Sequence, residues 1–162
     1  MVKITTRPVT AANWREALAL DIYAEQREFT PSVAVSLAKA YIQPDGAVYD
    51  PIAVYAKGKM VGFYSFIYYP GELQFCSIGG FLIDRACQRQ GYGRAALVDF
   101  LTTVQHKYPT CSDVFLTIHP RNQAARNLYQ SLNFVHTGDV IDGEEVMRRT
   151  MDSSTSFWSA RE

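Results

Sequence analysis

The segment Gln88–Gly93 has the residue types and spacing that most directly suggest chemistry. Two glycines, Gly91 and Gly93, stand between an apolar stretch that predicts a strand (78–83) and one that predicts a helix (95–104). A glycine-relaxed turn at the start of a helix presents several backbone N–H groups to one point, and these donors bind anions without a side chain. The segment therefore predicts a phosphate-binding turn, and the alternative is a tight strand-to-helix turn with solvated side chains.

Basic side chains around this turn add positive charge. Arg85, Arg89 and Arg94 are the basic residues, and no acidic residue occurs between Asp84 and Asp99. This one-sided charge favours phosphate binding over a plain turn. The predicted anion-binding residues are Gln88, Arg89, Gln90, Gly91, Tyr92, Gly93 and Arg94.

The same turn also fits the G-x-G-x-x-A pattern of dinucleotide-binding turns, through Gly91, Gly93 and Ala96. In that pattern the glycines follow the strand almost at once, and an acidic residue about 20 positions later ends the next strand. Here six residues separate Asp84 from Gly91, and the next predicted strand ends at His119 without an acid. The spacing therefore argues against a dinucleotide-binding turn.

Hydrophobic periodicity places the elements that must position this turn. The predicted strands cover 4–7, 52–56, 60–69, 73–83, 114–118, 134–139 and 145–150. The predicted helices begin at Asn13, near Ser32, at Gly93 and at Asn122. Asp142-Gly143 predicts a hairpin between the last two strands.

The fourth predicted strand contains two adjacent glycines, Gly79 and Gly80. Glycines weaken a strand and often mark a bulge or the close approach of a ligand backbone. The alternative is that they only relieve crowding in a twisted sheet.

A second motif runs from Asn122 to Phe134, with the sequence NQAARNLYQSLNF. It resembles the pattern N-x-x-A-x-x-L-Y-x-x-L-G-F of the GNAT N-acetyltransferase superfamily. The turn at 88–93 resembles a second motif of the same superfamily, the acetyl-coenzyme A motif Q/R-x-x-G-x-G/A. The motif departs from the pattern once, at Asn133, where glycine is usual. Asn is the next-best residue for a left-handed helix end, so the departure carries little weight. The resemblance covers residues 2 to 150.

The resemblance implies an α/β fold: a mixed, largely antiparallel sheet with helices on both faces, splayed between the fourth and fifth strands. It also implies that acetyl-CoA is the co-substrate, with its pantetheine arm against the backbone of Phe81, Leu82 and Ile83 and near Asn122. Tyr129 would protonate the departing thiolate, and the alternative is that Tyr129 is a core aromatic beside Leu128 and Leu132.

Acidic residues are the candidates for binding an amine acceptor, because an amine is mostly cationic near neutral pH. Asp21, Glu25 and Glu28 would share one face if the first helix extended that far, and no neighbouring Lys or Arg lies on that face. A solvated acidic face or an extended loop are the alternatives. Glu144, at the start of the last strand, is the fourth candidate, and an exposed turn residue is its alternative.

Several short stretches resemble the bacterial spermine/spermidine N-acetyltransferase branch of the superfamily. They are Asn13-Trp14, Glu25-Gln26, Phe29, 36–40 and 143–147. The resemblance implies a polyamine acceptor, which suits acidic residues.

Composition limits the class of protein. The 162 residues suffice for one domain, which we expect to cover 1–151. The remaining residues, 152–162, are expected to form a mobile tail, and the alternative is that this tail packs on a homodimer partner. Equal numbers of basic and acidic residues, 16 each, argue against nucleic-acid and membrane-surface binding. Three cysteines without a C-x-x-C pair and an N-terminus without an apolar leader predict free thiols and a cytoplasmic location. Three scattered histidines predict no metal site.

The sequence thus predicts an acetyl-CoA-dependent N-acetyltransferase that acts on a primary amine, with a polyamine favoured, by direct attack in a ternary complex. Another small amine or a protein amine is the rival acceptor. A coenzyme A-binding protein without catalysis is the rival class, and the presence of Tyr129 favours the enzyme.

Overall fold

Runs of β-branched and aromatic residues form a seven-stranded sheet in the computed structural model, which describes residues 2–152. The spatial order is β1-β2-β3-β4-β5-β7-β6. Only β4 and β5 run parallel, and every other neighbouring pair is antiparallel. The strands are β1 (Thr5–Pro8), β2 (Val48–Ala56), β3 (Lys59–Tyr68), β4 (Phe75–Ile83), β5 (Asp113–Ile118), β6 (Val135–Ile141) and β7 (Glu144–Thr150).

Helices cover both faces of this sheet, as predicted. Ala17 of α1 and Val33 of α2 pack with Phe63 and Leu82 on one face. Leu97 of α3 and Tyr129 of α4 belong to the larger core on the other face. The helices are α1 (Trp14–Leu18), α2 (Val33–Ile42), α3 (Tyr92–Lys107) and α4 (Gln123–Ser131). Within residues 2–152, no helix has both the length and the apolar character needed to cross a membrane.

The first helix is shorter than the acidic pattern requires. It ends at Leu18, and the chain continues through an irregular segment with a 3₁₀ turn at Ala24–Gln26. The Asp21 carbonyl accepts a hydrogen bond from the Arg85 N–H (2.7 Å), and its own N–H donates to Asp84 Oδ1 (3.0 Å). Because these tertiary bonds satisfy the backbone, the helix does not continue, and the alternative of an extended loop is correct.

Strand β2 begins four residues before the predicted start and includes Pro51. The Pro51 carbonyl accepts a hydrogen bond from Val9, on the β1 side, and β1 ends at Pro8. Proline has no N–H, and at Pro51 this group would point to the same β1 side, so β2 loses no hydrogen bond to β3.

The hairpin turn predicted at Asp142-Gly143 is present, and a second tight turn of the same kind joins β2 to β3. Asp142 and Gly143 join β6 to β7 with φ values of 50° and 81°, and Lys57 and Gly58 join β2 to β3 with 51° and 76°. Two consecutive left-handed residues match the twist of the flanking strands.

Candidate functional site

The parallel strands β4 and β5 separate halfway along their length. They pair only through Phe75 with Asp113, Cys76 with Val114 and Ser77 with Phe115. Beyond Ser77, β4 continues to Ile83 with no pairing to β5. A wedge therefore opens between the two strands, as predicted, and it leaves backbone groups of β4 available to a ligand.

The bulge predicted at the glycines in β4 is present next to this wedge. Gly79 pairs with Ser65 and Leu82 pairs with Phe63, so Gly80 and Phe81 together face one residue of β3. Gly80 has φ +57°, and a Cβ there would lie 2.6 Å from the Ser36 hydroxyl oxygen on α2. Glycine is required at this position for both reasons.

The glycine turn lies at the start of the 16-residue helix α3. Gly91 is its N-terminal cap, with φ +85° in the left-handed region, and Arg89 also has a positive φ of 59°. The first N–H groups of the helix have no partner within it, so they are available as donors for an anion. The Arg89 side chain is exposed, and Arg94 is exposed while donating to Ser131 Oγ (2.7 Å).

Two side chains of the turn have structural partners instead. The Gln88 amide exchanges hydrogen bonds with Gln26 (2.9 and 3.0 Å) and donates to the Ile83 carbonyl (3.0 Å). Tyr92 is buried in the core. These side chains hold the turn in place.

The start of α3 approaches the floor of the wedge closely. A Cβ at Gly93 would lie 3.7 Å from Ile83 Cγ1 and 3.8 Å from both Phe81 Cζ and Leu128 Cδ2. The turn, the splayed strand and α4 therefore meet at one place, which the sequence pattern does not show.

Tyr129 lies on α4 with 7% of its surface exposed, and its ring packs edge-on against Phe134 at 5.7 Å between centroids. Asn133 fixes this arrangement by adopting the left-handed conformation (φ 66°), as its substitution for glycine predicted. The Phe134 N–H donates to the Tyr129 carbonyl (3.1 Å), and the Asn133 N–H donates to that of Gln130 (3.1 Å). This pair of bonds is the Schellman motif.

Burial raises the pKa of Tyr129 above its ordinary value of 10.0, and the negative charge of Glu144 raises it further. The phenol therefore keeps its proton throughout the neutral range. The Glu144 carboxylate, a predicted acceptor residue, is therefore within electrostatic range of the predicted acid. Thr117 donates a hydrogen bond to Glu144 and is a residue that the sequence analysis missed. The signal in the sequence was the alternation of the apolar residues Val114, Leu116 and Ile118. These three are buried on one side of β5, so Thr117 lies on the other side.

Asn122 caps the start of α4, with its Oδ1 accepting from the Ala125 N–H (3.2 Å). This bond accounts for the residue locally. A contact with pantetheine stays a prediction.

Two of the three acidic residues predicted in the α1–α2 segment have cationic partners, contrary to the expectation of an uncompensated stripe. Asp21 lies 3.6 Å from the Arg27 guanidinium and 3.7 Å from that of Arg85. Glu28 pairs with Arg121, at the end of the β5–α4 loop. Arg85 and Arg121 could not be predicted as partners because they come from distant parts of the chain. Arg27 is local, but the prediction placed Asp21 on a helix that in fact ends at Leu18.

Glu25 differs from its neighbours. It is exposed, and no Lys, Arg or His of residues 2–152 lies within 4.0 Å of its carboxylate. Nearby, Phe29 packs against His119 at 5.0 Å between ring centroids. The α1–α2 segment thus contacts the loops that follow both β4 and β5, across the open end of the wedge.

Metal ligands are not grouped in the described part of the chain: residues 2–152 contain no cluster of three or more His, Cys, Asp or Glu suited to a metal ion. The three cysteines are buried and not joined by disulfides.

Within residues 2–152 the sheet opens at its one parallel pair, beside a glycine turn at a helix start, and this arrangement has room and backbone donors for an extended anionic ligand. The model of the Acetyltransferase (GNAT) family matches residues 14–134. The chain therefore belongs to the GNAT family and is an acetyl-CoA-dependent amine N-acetyltransferase.

Two curated relatives from Bacillus subtilis are 28% identical over 152 residues, which cover 90% of this chain and 97% of theirs. One is the spermine/spermidine N(1)-acetyltransferase of strain 168, and the other is the probable spermine N(1)-acetyltransferase of subspecies natto.

Solved structures share the fold. The ribosomal-protein-S18-alanine N-acetyltransferase of Escherichia coli has a TM-score of 0.68 at 21% identity and covers 96% of this chain and 98% of its own. The spermidine N-acetyltransferase of Vibrio cholerae, solved with CoA and spermine, has a TM-score of 0.70 at 15% identity and covers 93% and 96%.

Proposed function

We propose that this acetyltransferase transfers the acetyl group of acetyl-CoA to a primary amine of a polyamine by direct attack, with both substrates bound together. The observation that carries the proposal is the convergence at one place of three features: the wedge between β4 and β5, the glycine turn, and α4, the helix that bears the buried Tyr129. Holding both reactants in one geometry lowers the activation free energy by several kcal/mol, so no covalent enzyme intermediate is required.

The wedge would receive the pantetheine arm. Its amides would pair with the backbone of Phe81, Leu82 and Ile83, in the part of β4 that has no partner on the β5 side. A backbone N–H of the same stretch would stabilise the oxygen of the thioester carbonyl as the amine attacks. The pyrophosphate would lie at Gly91 and the first turn of α3, with Arg89 and Arg94 beside it.

Tyr129 would donate its proton to the departing thiolate, and the proton that the attacking amine loses would return through water to the phenolate, so that the amine and acetyl-CoA yield the amide and CoA. A phenol in water is a weaker acid than a thiol, so the transfer is uphill there. Burial raises the pKa of Tyr129, but the same dry environment destabilises a thiolate that forms next to it. The dry environment thus raises the pKa of both the phenol and the thiol. Burial therefore does not by itself widen the gap between the two pKa values, and Tyr129 can still protonate the thiolate.

Carboxylates around the open end of the wedge would attract the polycation. Glu144 is near Tyr129, and Glu25 is exposed without a cationic partner among the described residues. A polyamine nitrogen would have to displace Arg121 to reach Glu28, and Arg27 and Arg85 to reach Asp21. Glu25 and Glu144 are therefore the stronger candidates of the four.

Replacing Tyr129 with Phe tests the chemical step. The variant removes the proton and keeps the ring, so kcat should fall by about 10² to 10⁴-fold while the Kd for acetyl-CoA stays unchanged. Tyr64→Phe is the matched control, because Tyr64 is also a buried tyrosine of the same core. A loss below threefold in a folded Tyr129→Phe protein would return Tyr129 to a packing role.

A panel of acceptors tests the substrate class. Spermine, spermidine, a monoamine and an alanine-terminated peptide should be compared in one coenzyme A-release assay. Glu25→Gln and Glu144→Gln should raise KM for spermine more than for the monoamine, whereas Glu16→Gln, an exposed change on α1, should not. Equal kinetics for spermine and the monoamine would exclude the polyamine proposal and leave the acetyltransferase assignment intact.

A further inference from the structure

A cleft of about 510 Å³ lies outside the wedge, between the start of β1, the β2–β3 turn and the first turn of α3. Its lining includes Lys3, Arg7, Tyr55, Lys57, Gln90 and Tyr92. The β4–α3 turn therefore has a ligand-sized space on the side away from α4, in addition to the wedge.

The charge of this cleft has one sign. Lys3, Arg7 and Lys57 contribute three cations, and no carboxylate is among the lining residues. None of the three makes an ion pair within 4.0 Å with an acid of residues 2–152. In a chain with zero net charge, such a concentration requires an explanation.

The cations come from different elements that hold them at one place. Lys3 and Arg7 are four residues apart along an extended segment, so their side chains emerge on the same side. The Arg7 guanidinium lies over the Tyr55 ring, 4.4 Å from its centroid, which restricts its orientation. Lys57 is at the left-handed first position of the β2–β3 turn.

The cleft is continuous with the glycine turn. Gln90 and Tyr92 belong to both, and Val2, at the cleft wall, lies so close to Gly91 that a Cβ there would be 3.1 Å from Val2 Cγ2. A ligand phosphate in the cleft would therefore lie beside the donors at the start of α3.

We propose that this cleft binds a phosphate monoester group of an organic phosphate, through Lys3, Arg7 and Lys57. The monoester is either the 3′-phosphate of acetyl-CoA, in which case the inference rests on the proposed function, or part of a separate organic phosphate. Several cationic donors around an open, carboxylate-free space suit a dianionic phosphate better than a monoanion.

The test compares two double variants. Arg7→Gln with Lys57→Gln removes two of the three cations. Arg15→Gln with Lys59→Gln is the matched control: Arg15 also lies over an aromatic ring, that of Trp14, at 4.7 Å, and neither residue lines the cleft. Circular dichroism establishes that both variants are folded.

Calorimetric titrations with CoA and with dephospho-CoA, which lacks the 3′-phosphate, distinguish the two sources. If the ligand is CoA, the unmodified protein should bind CoA about tenfold more tightly than dephospho-CoA, and the cleft variant should lose this difference. If the ligand is separate, CoA and dephospho-CoA should bind alike, and adenosine 3′,5′-bisphosphate should bind the CoA-saturated protein but not the CoA-saturated cleft variant.

The proposal is overturned if the cleft variant and the control variant give the same affinities in all of these titrations. Failure of the proposed function has a different signature, because the unmodified protein would then bind neither CoA nor dephospho-CoA. In that case adenosine 3′,5′-bisphosphate, titrated into the free proteins, still tests the cleft: binding that the cleft variant loses supports it, and equal behaviour overturns it.

Discussion

Replacing Gly80 with Ala should destabilise the protein and narrow the wedge, because two separate constraints exclude a side chain there. The backbone has φ +57°, and a Cβ would lie 2.6 Å from Ser36 Oγ. An alanine in the left-handed region costs about 1–2 kcal/mol. Overpacking against α2 adds about 1 kcal/mol or more.

The expected free energy of unfolding is therefore lower by about 2–4 kcal/mol. For a chain of this size the melting temperature should fall by about 5–15 °C. Urea denaturation and thermal scans measure both quantities, and the Kd for acetyl-CoA reports the effect on the wedge.

Two further variants separate the constraints. Gly138→Ala carries the cost of a positive φ (+91°) without a neighbour within 4 Å. Ser36→Ala combined with Gly80→Ala removes the hydroxyl that the new Cβ would meet, so it should restore the overpacking part only. The reasoning is refuted if Gly80→Ala costs no more than Gly138→Ala and the second change restores nothing.

Three other outcomes follow from the site. Gly91→Ala should weaken acetyl-CoA binding, because the new Cβ would move Val2 and distort the anion-binding turn. Gly71→Ala is the control: Gly71 has a nearly equal φ of +86° and open space around it, so the change should lower the stability of the protein without changing the Kd. Because burial raises the pKa of Tyr129, the phenol keeps its proton as the pH rises. The pH profile of kcat should therefore show no loss from this group up to about pH 10. A fall in kcat near pH 8, caused by loss of the proton from the catalytic acid, would contradict the assignment. Asn133→Gly should leave stability unchanged or raise it, while Asn133→Val should lower it by about 1–2 kcal/mol in urea denaturation, because a β-branched residue is strained at φ 66°.

Local features of the fold could be predicted because their causes lie within a few residues. Gly79-Gly80 indicates a bulge, Asp142-Gly143 a hairpin, and Asn133 a left-handed helix end, and all three are present. Each depends on which φ values a residue tolerates, and that preference does not need the rest of the molecule.

The end of the first helix could not be predicted in this way. The periodicity of Trp14, Ala17 and Leu18 permits a longer helix, and Asp21 leaves it only because its backbone bonds to Asp84 and Arg85, more than sixty residues away. A similar distance separates Asp21 from Arg85 and Glu28 from Arg121, whereas the local pair of Asp21 with Arg27 depends on the early end of the helix. The prediction of an uncompensated acidic face failed for this reason.

The order of the elements, the glycine turn with its basic neighbours, and the family can be read from the chain alone, because these depend on residue types at fixed short spacings. Which distant residues come together depends on the packed molecule: Glu28 with Arg121, Ser36 with Gly80, and Lys3 with Lys57 and Gln90. Such meetings depend on how the helices and strands pack as a whole, and packing is set by the sum of many weak contacts that no short pattern encodes.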